Sequence, residues 1–199
     1  MTNVSGSSVY RASIFRALPT LETERLVLRA LTAGDSEAVF AYSWDPEVAR
    51  YTGWEPAASI EDAQAFIDSV LQGYHAGQPA GWGVVHRADQ RLIGTCGFSA
   101  YSPISGSGFL SYALARQYWG QGLTTEAVLK VLDYGFTGMG LHRVQATCIV
   151  ENVASWRVME KAGMRYEGVL KGLAVKHGQR WDMKVYSVTR GQWAEGEGA

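Results

Sequence analysis

The chain has 199 residues, 47% hydrophobic and 19% charged, which is the balance of a globular protein of roughly one domain and not of a disordered or fibrous chain. Its 18 lysines and arginines against 19 acidic residues give a formal charge of −1 with no basic run, which argues against a nucleic-acid protein that works by neutralising phosphates. Four scattered histidines and two cysteines offer no metal-ligand spacing, and no apolar run approaches the ~20 residues a membrane helix needs.

Residues 1–20 are Ser-rich and read as a flexible or loosely docked arm, and Arg16 interrupts their only apolar patch, so a secretory signal is not expected. A strand is centred on Leu26–Arg29. Gly34-Asp35 offers a cap for a helix through Ala38, Val39 and Tyr42, and Asp45-Pro46-Glu47 starts a second, short one. Tyr51–Pro56 is a loop with two exposed-looking aromatics. Ser59-Ile-Glu-Asp62 resembles a capping box and opens a helix through Ala63, Phe66, Ile67 and Val70 that stops near Gly73. From Gly81 the period changes: Gly81–His86 and Arg91–Phe98 are strands of a hairpin. Cys96 and Cys148 sit in apolar, strand-like runs and read as small buried hydrophobes of a reducing, cytoplasmic compartment.

Phe109–Leu114 is a mostly buried strand. Apolar residues at 127, 128, 131, 132 and 136 mark one face of a helix that Gly138 and Gly140 end. Between strand and helix stands Gln117-Tyr-Trp-Gly120-Gln121-Gly122-Leu123-Thr124. Two glycines at a helix start leave backbone N–H groups uncovered at the positive end of the dipole, an anion site for a phosphate or pyrophosphate, with Arg116 as a nearby cation. A Walker loop is excluded because Leu123 stands where its lysine belongs, and a dinucleotide fingerprint meets Thr125 at its third small residue. A glycine-rich connecting turn without a ligand is the plain alternative. A β-branched strand follows over His142–Val150, then a short helix over Asn152–Gly163. Two closing strands, around Arg165–Val175 and Trp181–Thr189, turn at His177-Gly178.

The turn fits Gln/Arg-x-x-Gly-x-Gly/Ala and resembles the pyrophosphate loop of the GNAT acetyltransferases. Leu141–Met164, with Asn152, Ser155, Lys161 and Gly163, resembles that superfamily's second cofactor segment. Glu22–Arg29 and Tyr186–Trp193 resemble the branch of bacterial ribosomal-protein N-terminal acetyltransferases of the Rim type. The resemblance covers about residues 21–193, leaving residues 194–199 as a tail. It implies a single-domain α/β fold: a mixed, mostly antiparallel sheet with a splayed central strand pair and helices on both faces.

The resemblance further implies acetyl-CoA as co-substrate, with no metal. Ala113 and Leu114 would pair with the pantetheine arm, Gln117, Gly120, Gln121, Gly122, Leu123 and Thr124 would wrap the pyrophosphate, and Asn152 and Ser155 would meet the arm. Asn152 is equally read as a helix cap, and Ser155 as a surface serine. Acetyl transfer needs amine deprotonation, an oxyanion donor and a proton or screen for the leaving thiolate. The N–H near Leu114 suits the oxyanion. Relatives often carry a tyrosine where this chain has Met159, so Ser155 is the remaining hydroxyl for the thiolate. They often carry a glutamate at the Phe109 position, so the base is left among Asp182, Glu47, His177 and a water chain. Tyr51, Trp54 and Trp82 either line an acceptor cleft or are ordinary rim and core aromatics.

Three functions remain open at this point. They are acetylation of a protein or peptide α-amine (a ribosomal or other N-terminus), acetylation of a small amine such as an antibiotic or polyamine, and a non-catalytic CoA-binding module. A monomer and a homodimer fit equally.

Overall fold

The structure, a computed structural model, describes residues 14–196. Residues 1–13 of the expected arm, and the last three of the tail, lie outside the described residues. From Ile14 onward the arm is docked: a 3₁₀ turn at Ile14–Arg16 buries Phe15 completely. The Trp82 indole N–H donates to Pro19 O at 2.8 Å and fixes the next stretch.

Among the described residues the strands are β1 (Leu21–Glu22), β2 (Leu26–Arg29), β3 (Gly81–His86), β4 (Arg91–Ser102), β5 (Ser107–Leu114), β6 (Arg143–Ile149), β7 (Arg165–Lys176) and β8 (Gln179–Thr189). They form one sheet in the order β1-β2-β3-β4-β5-β6-β8-β7. Every neighbouring pair is antiparallel except β5 with β6. The α-helices are α1 (Ser36–Ser43), α2 (Pro46–Ala49), α3 (Ile60–Ala76), α4 (Leu123–Thr137), α5 (Val153–Lys161) and α6 (Arg190–Ala194).

The helix starts follow local chemistry. Asp45 caps α2 by accepting from Glu47 N at 2.9 Å, and the Asp62 carboxylate closes the Ser59 capping box of α3. Asp35, ahead of α1, is held by both Arg29 Nη atoms at 2.8 and 2.7 Å and by Thr32. Burial pushes its pKa up, but the guanidinium and the Thr32 donors outweigh that and leave it below the ordinary carboxylate value.

The sheet divides the core in two. On one face Leu26, Leu28, Trp82, Ile93, Phe98 and Leu110 pack against the apolar stripe of α4, from Leu123 through Val128, Val131 and Leu132. On the other, Leu31 and Leu92 pack with Val39, Val48 and Ile67 of α1, α2 and α3. Alternation along β3 and β4 sends neighbouring side chains to opposite faces, which is why Leu92 and Ile93 belong to different clusters. Trp82, one of the aromatics considered for an acceptor cleft, is fully buried on the α4 side, edge-on to Tyr134 at 5.6 Å.

Phe15 is buried in the core cluster that holds the α4 stripe, its ring 6.0 Å from that of Tyr101, so its removal leaves a cavity. Phe15→Ala should lower unfolding free energy by about 3–5 kcal/mol, read by urea denaturation. A loss under 1 kcal/mol would mean that this stretch is not docked.

Candidate active site

β5 and β6 are hydrogen-bonded neighbours only over Ser107–Phe109 against Arg143–Gln145. Beyond that point each follows its other partner: β5 stays on β4 to the Gly94–Leu114 pair, and β6 stays on β8 to the Ile149–Met183 pair. The two ends therefore part. Ala115 N donates to Ile93 O at 2.7 Å, one residue outside the Gly94–Leu114 pair. In an antiparallel ladder that makes Gly94–Leu114 a non-hydrogen-bonded pair, so Leu114 and, two residues back, Tyr112 turn their backbone groups away from β4 and into the gap. Ala113, between them, turns its own into β4 toward Thr95. The Leu114 carbonyl is taken by the Trp119 indole N–H at 2.7 Å, which leaves its N–H facing the gap.

The gap opens into a cavity of about 830 Å³. Tyr112, Thr147, Cys148, Asn152 and Ser155 line it. The loop 51–57, Phe66 and Phe109 line it as well. Tyr51 and Trp54, expected to be exposed, are half-buried there.

The turn before α4 has the conformation its glycines predict. Gly120 and Gly122 have φ of +74° and +79°, and Gly122 caps the helix. Leu123 buries its side chain in the core, so only its backbone is available at the helix start. Gln121 folds back, its side-chain amide donating to Gln117 O at 3.0 Å. Glu126, in the first turn, would repel an anion bound there, yet its charge is matched. Arg25 Nε and Nη2 reach Glu126 Oε2 at 2.7 and 2.6 Å, and Thr23 Oγ1 and Arg25 N donate to Oε1. Burial raises the Glu126 pKa and these donors lower it by more. Arg25 Nη1 also donates to Gln121 O at 2.9 Å, so the residue before β2 and the turn are tied together.

At α5, Asn152 is the cap: its Oδ1 accepts from Ser155 N at 3.2 Å. Its side-chain amide N–H groups are not needed for that bond. Ser155 Oγ lies 3.0 Å from Tyr112 Oη, which is also 3.0 Å from Ser155 O. Burial pushes the Tyr112 phenol well above its usual pKa, so it stays protonated. Burial likewise lifts the Cys148 thiol to about 11, against smaller lowering by Ser155 and Lys184. Met159 is fully buried and inert.

The carboxylates considered as bases stand elsewhere. Asp182 accepts from Lys171 Nζ and Gly172 N, both at 2.8 Å, on the β7–β8 hairpin. Those bonds hold its pKa below the usual range, the opposite of what a base needs. Glu47 pairs with Arg50, and His177 with Glu55, both at 3.4 Å. None of Asp182, Glu47 and His177 lines the cavity.

The acetyltransferase (GNAT) domain model matches residues 25–165. The chain belongs to the GNAT acetyltransferases. It is 37% identical over 172 residues to the uncharacterized N-acetyltransferase YoaA of Bacillus subtilis, covering 86% of this chain and 97% of that one. It is 24% identical over 195 residues to the ribosomal protein uS5-alanine N-acetyltransferase of Escherichia coli, covering 94% and 98% of the two. Among solved structures, a GNAT-family acetyltransferase from Bacillus anthracis superposes with a TM-score of 0.78 at 31% identity, covering 87% of this chain and 99% of that one. The mixed sheet with its parted central pair is the GNAT fold expected from the motifs, and the chain is an acyltransferase of that family.

Two features of this GNAT site were invisible in the linear chain. One is Tyr112, which the strand pattern recorded only as an apolar, β-forming residue. The other is Lys176 at the end of β7, whose Nζ donates to Ala49 O, Thr52 O and Trp54 O at 2.5, 3.2 and 3.1 Å. It latches the cavity-lining loop from more than 120 residues away. Lys176→Met keeps the stem but removes the donors. Amides of 50–57 should then exchange with solvent at least about tenfold faster, as loss of about 1–3 kcal/mol of local hydrogen bonding requires. Unchanged exchange would show that the loop holds itself.

Proposed function

We propose that this GNAT enzyme transfers the acetyl group of acetyl-CoA to a primary amine, the α-amine at the N-terminus of a protein or peptide, by direct transfer in a ternary complex. The observation that carries the reading is the set of backbone groups of Tyr112 and Leu114 turned into a gap that opens beside a glycine-flanked helix start. An extended amide-bearing arm satisfies such an edge as an added strand does, and phosphates suit the uncovered N–H groups of Gly120–Thr124. We assign the Asn152 amide N–H groups to a carbonyl of that arm, a role its capping oxygen leaves open to them. The distant relation to the uS5-alanine N-acetyltransferase supports a protein N-terminus as acceptor, and a cytoplasmic enzyme would meet such N-termini as they are made.

In the transfer, the amine nitrogen bonds to the acetyl carbon, the C–S bond breaks, the amine loses a proton to water and the thiolate gains one. The Leu114 N–H is the donor we assign to the oxyanion. Ser155 donates a hydrogen bond to the developing sulfur charge, Tyr112 stays protonated and holds the serine through the bond between the two hydroxyls, and the proton the thiolate finally takes comes from water. Among the described residues the two carboxylates of the cavity lining are each engaged: Asp62 Oδ2 accepts from Ala58 N and Ser59 N, and Glu55 faces His177. An α-amine with a pKa near 8 is already partly neutral at cellular pH, so water suffices to carry its proton.

Three measurements check this reading. Gly122→Ala adds a Cβ whose nearest neighbour is Arg25 Nη2 at 3.6 Å, so the fold should survive with about 1 kcal/mol of left-handed strain while CoA affinity by calorimetry falls; unchanged affinity would remove the turn from the site. Ser155→Ala should lower kcat on the order of 100-fold with KM for acetyl-CoA nearly constant. Tyr112→Phe should act through the same path, so that the double variant is little worse than Ser155→Ala alone. Activity should rise with pH as the acceptor amine becomes neutral, with a midpoint that tracks the pKa of each acceptor. A midpoint fixed across acceptors would instead require an enzyme base.

A further inference from the structure

The cavity wall has a definite chemistry. Tyr51 and Trp54 of the loop, Phe66 of α3, Phe109 of β5 and Met183 of β8 are among its large side chains, and among the described residues no lysine or arginine lines it. Phe66 is 42% exposed although apolar, because it faces this space and not a packed neighbour. An aromatic side chain held open to water inside a pocket gains by being covered.

Each of the two carboxylates in the lining already serves a neighbour. Asp62 has its Oδ2 on the backbone N–H groups of Ala58 and Ser59, at 2.8 and 3.1 Å, closing the α3 cap. The Glu55 side chain is 61% exposed and 3.4 Å from His177, so it belongs to the rim. The loop between them cannot easily swing a carboxylate inward, since Lys176 ties Ala49, Thr52 and Trp54 by their carbonyls. A second ammonium carried among these aromatics would give up hydration, with only a carboxylate that already serves the α3 cap or the rim pair to meet it. A polyamine or an aminoglycoside, with several ammonium groups close together, is therefore a poor fit. A single amine with an apolar body behind it loses its one charge at the thioester and buries the rest against the aromatics.

We propose that the acceptor brings one amine on an apolar or aromatic body, so that a protein N-terminus used here begins with an apolar first side chain. This deepens the amine-transfer reading and rests on it.

The test measures CoA thiol release by the whole protein with acetyl-CoA and a matched panel. Peptides identical except for a first residue of Phe, Leu, Ser or Lys are compared with phenethylamine, spermidine and kanamycin. Phe- and Leu-first peptides and phenethylamine should exceed the Lys-first peptide, spermidine and kanamycin in kcat/KM by at least about tenfold, the usual discrimination of an apolar pocket. Phe66→Ser, at an exposed position that the fold tolerates, should erase much of that preference without changing KM for acetyl-CoA. A polycation that is used as well as or better than the apolar amines overturns the inference while leaving amine transfer in place. A Phe66→Ser enzyme with the parental preference also overturns it. Acetyl-CoA binding with no turnover of any amine would overturn the amine-transfer reading itself, and this inference with it.

Discussion

Buried backbone N–H and C=O groups have to be paired, and the far end of β5 has no strand on one side to pair with. The constraint begins at Phe109, the last residue that β5 shares with β6. Past it, β4 keeps one edge of β5 and β8 keeps one edge of β6, and the two inner edges face a gap. A sheet would normally close such a gap or cover it. Here the Trp119 indole satisfies only the Leu114 carbonyl. The cavity, the orientation of Tyr112 and the placement of α5 all follow from strands that part in mid-sheet.

Around that gap the fold places charge sparingly. Glu126 stands in the first turn of α4, where a carboxylate favours the helix dipole but opposes a bound phosphate. Its pairing with Arg25 offsets its charge toward a bound phosphate, and it also fastens the residue before β2 to the glycine turn. Close to the gap the polar groups are neutral: a phenol whose proton is held by burial, a serine hydroxyl 3.0 Å from it, and a buried thiol. Neutral donors suit a reaction in which charge appears only transiently, on the carbonyl oxygen and then on sulfur. They suit it better than fixed ions, which would stabilise one charged state throughout.

Much of this was legible in the chain because it is local. Gly120 and Gly122 marked the turn at the helix start, where both take positive φ; Asn152 read as a cap and is one; the Ser59–Asp62 capping box formed. Helix and strand order followed from periodicity within single segments. What the chain did not disclose depends on register and on distant pairs. Tyr112 meets Ser155 across 43 residues, and Lys176 meets Ala49 across 127. The face taken by Trp82 was equally hidden. Alternation says that neighbours in β3 point opposite ways, but not which way is toward the cavity, and Trp82 points toward α4. Asp182 carried the right functional group for a base, but its hairpin partner Lys171, eleven residues away, holds it charged.

Amide hydrogen exchange, residue by residue, with and without saturating CoA, bears most directly on the parted strands as the seat of the pantetheine arm. The N–H of Ala113 is turned into β4 and should be protected in both states, serving as the internal reference. The N–H of Tyr112 should exchange faster than that of Ala113 in the free protein and slow by at least about tenfold when CoA is bound, as a new backbone pair requires. CoA binding that leaves Tyr112 exchanging as in the free protein would contradict the account.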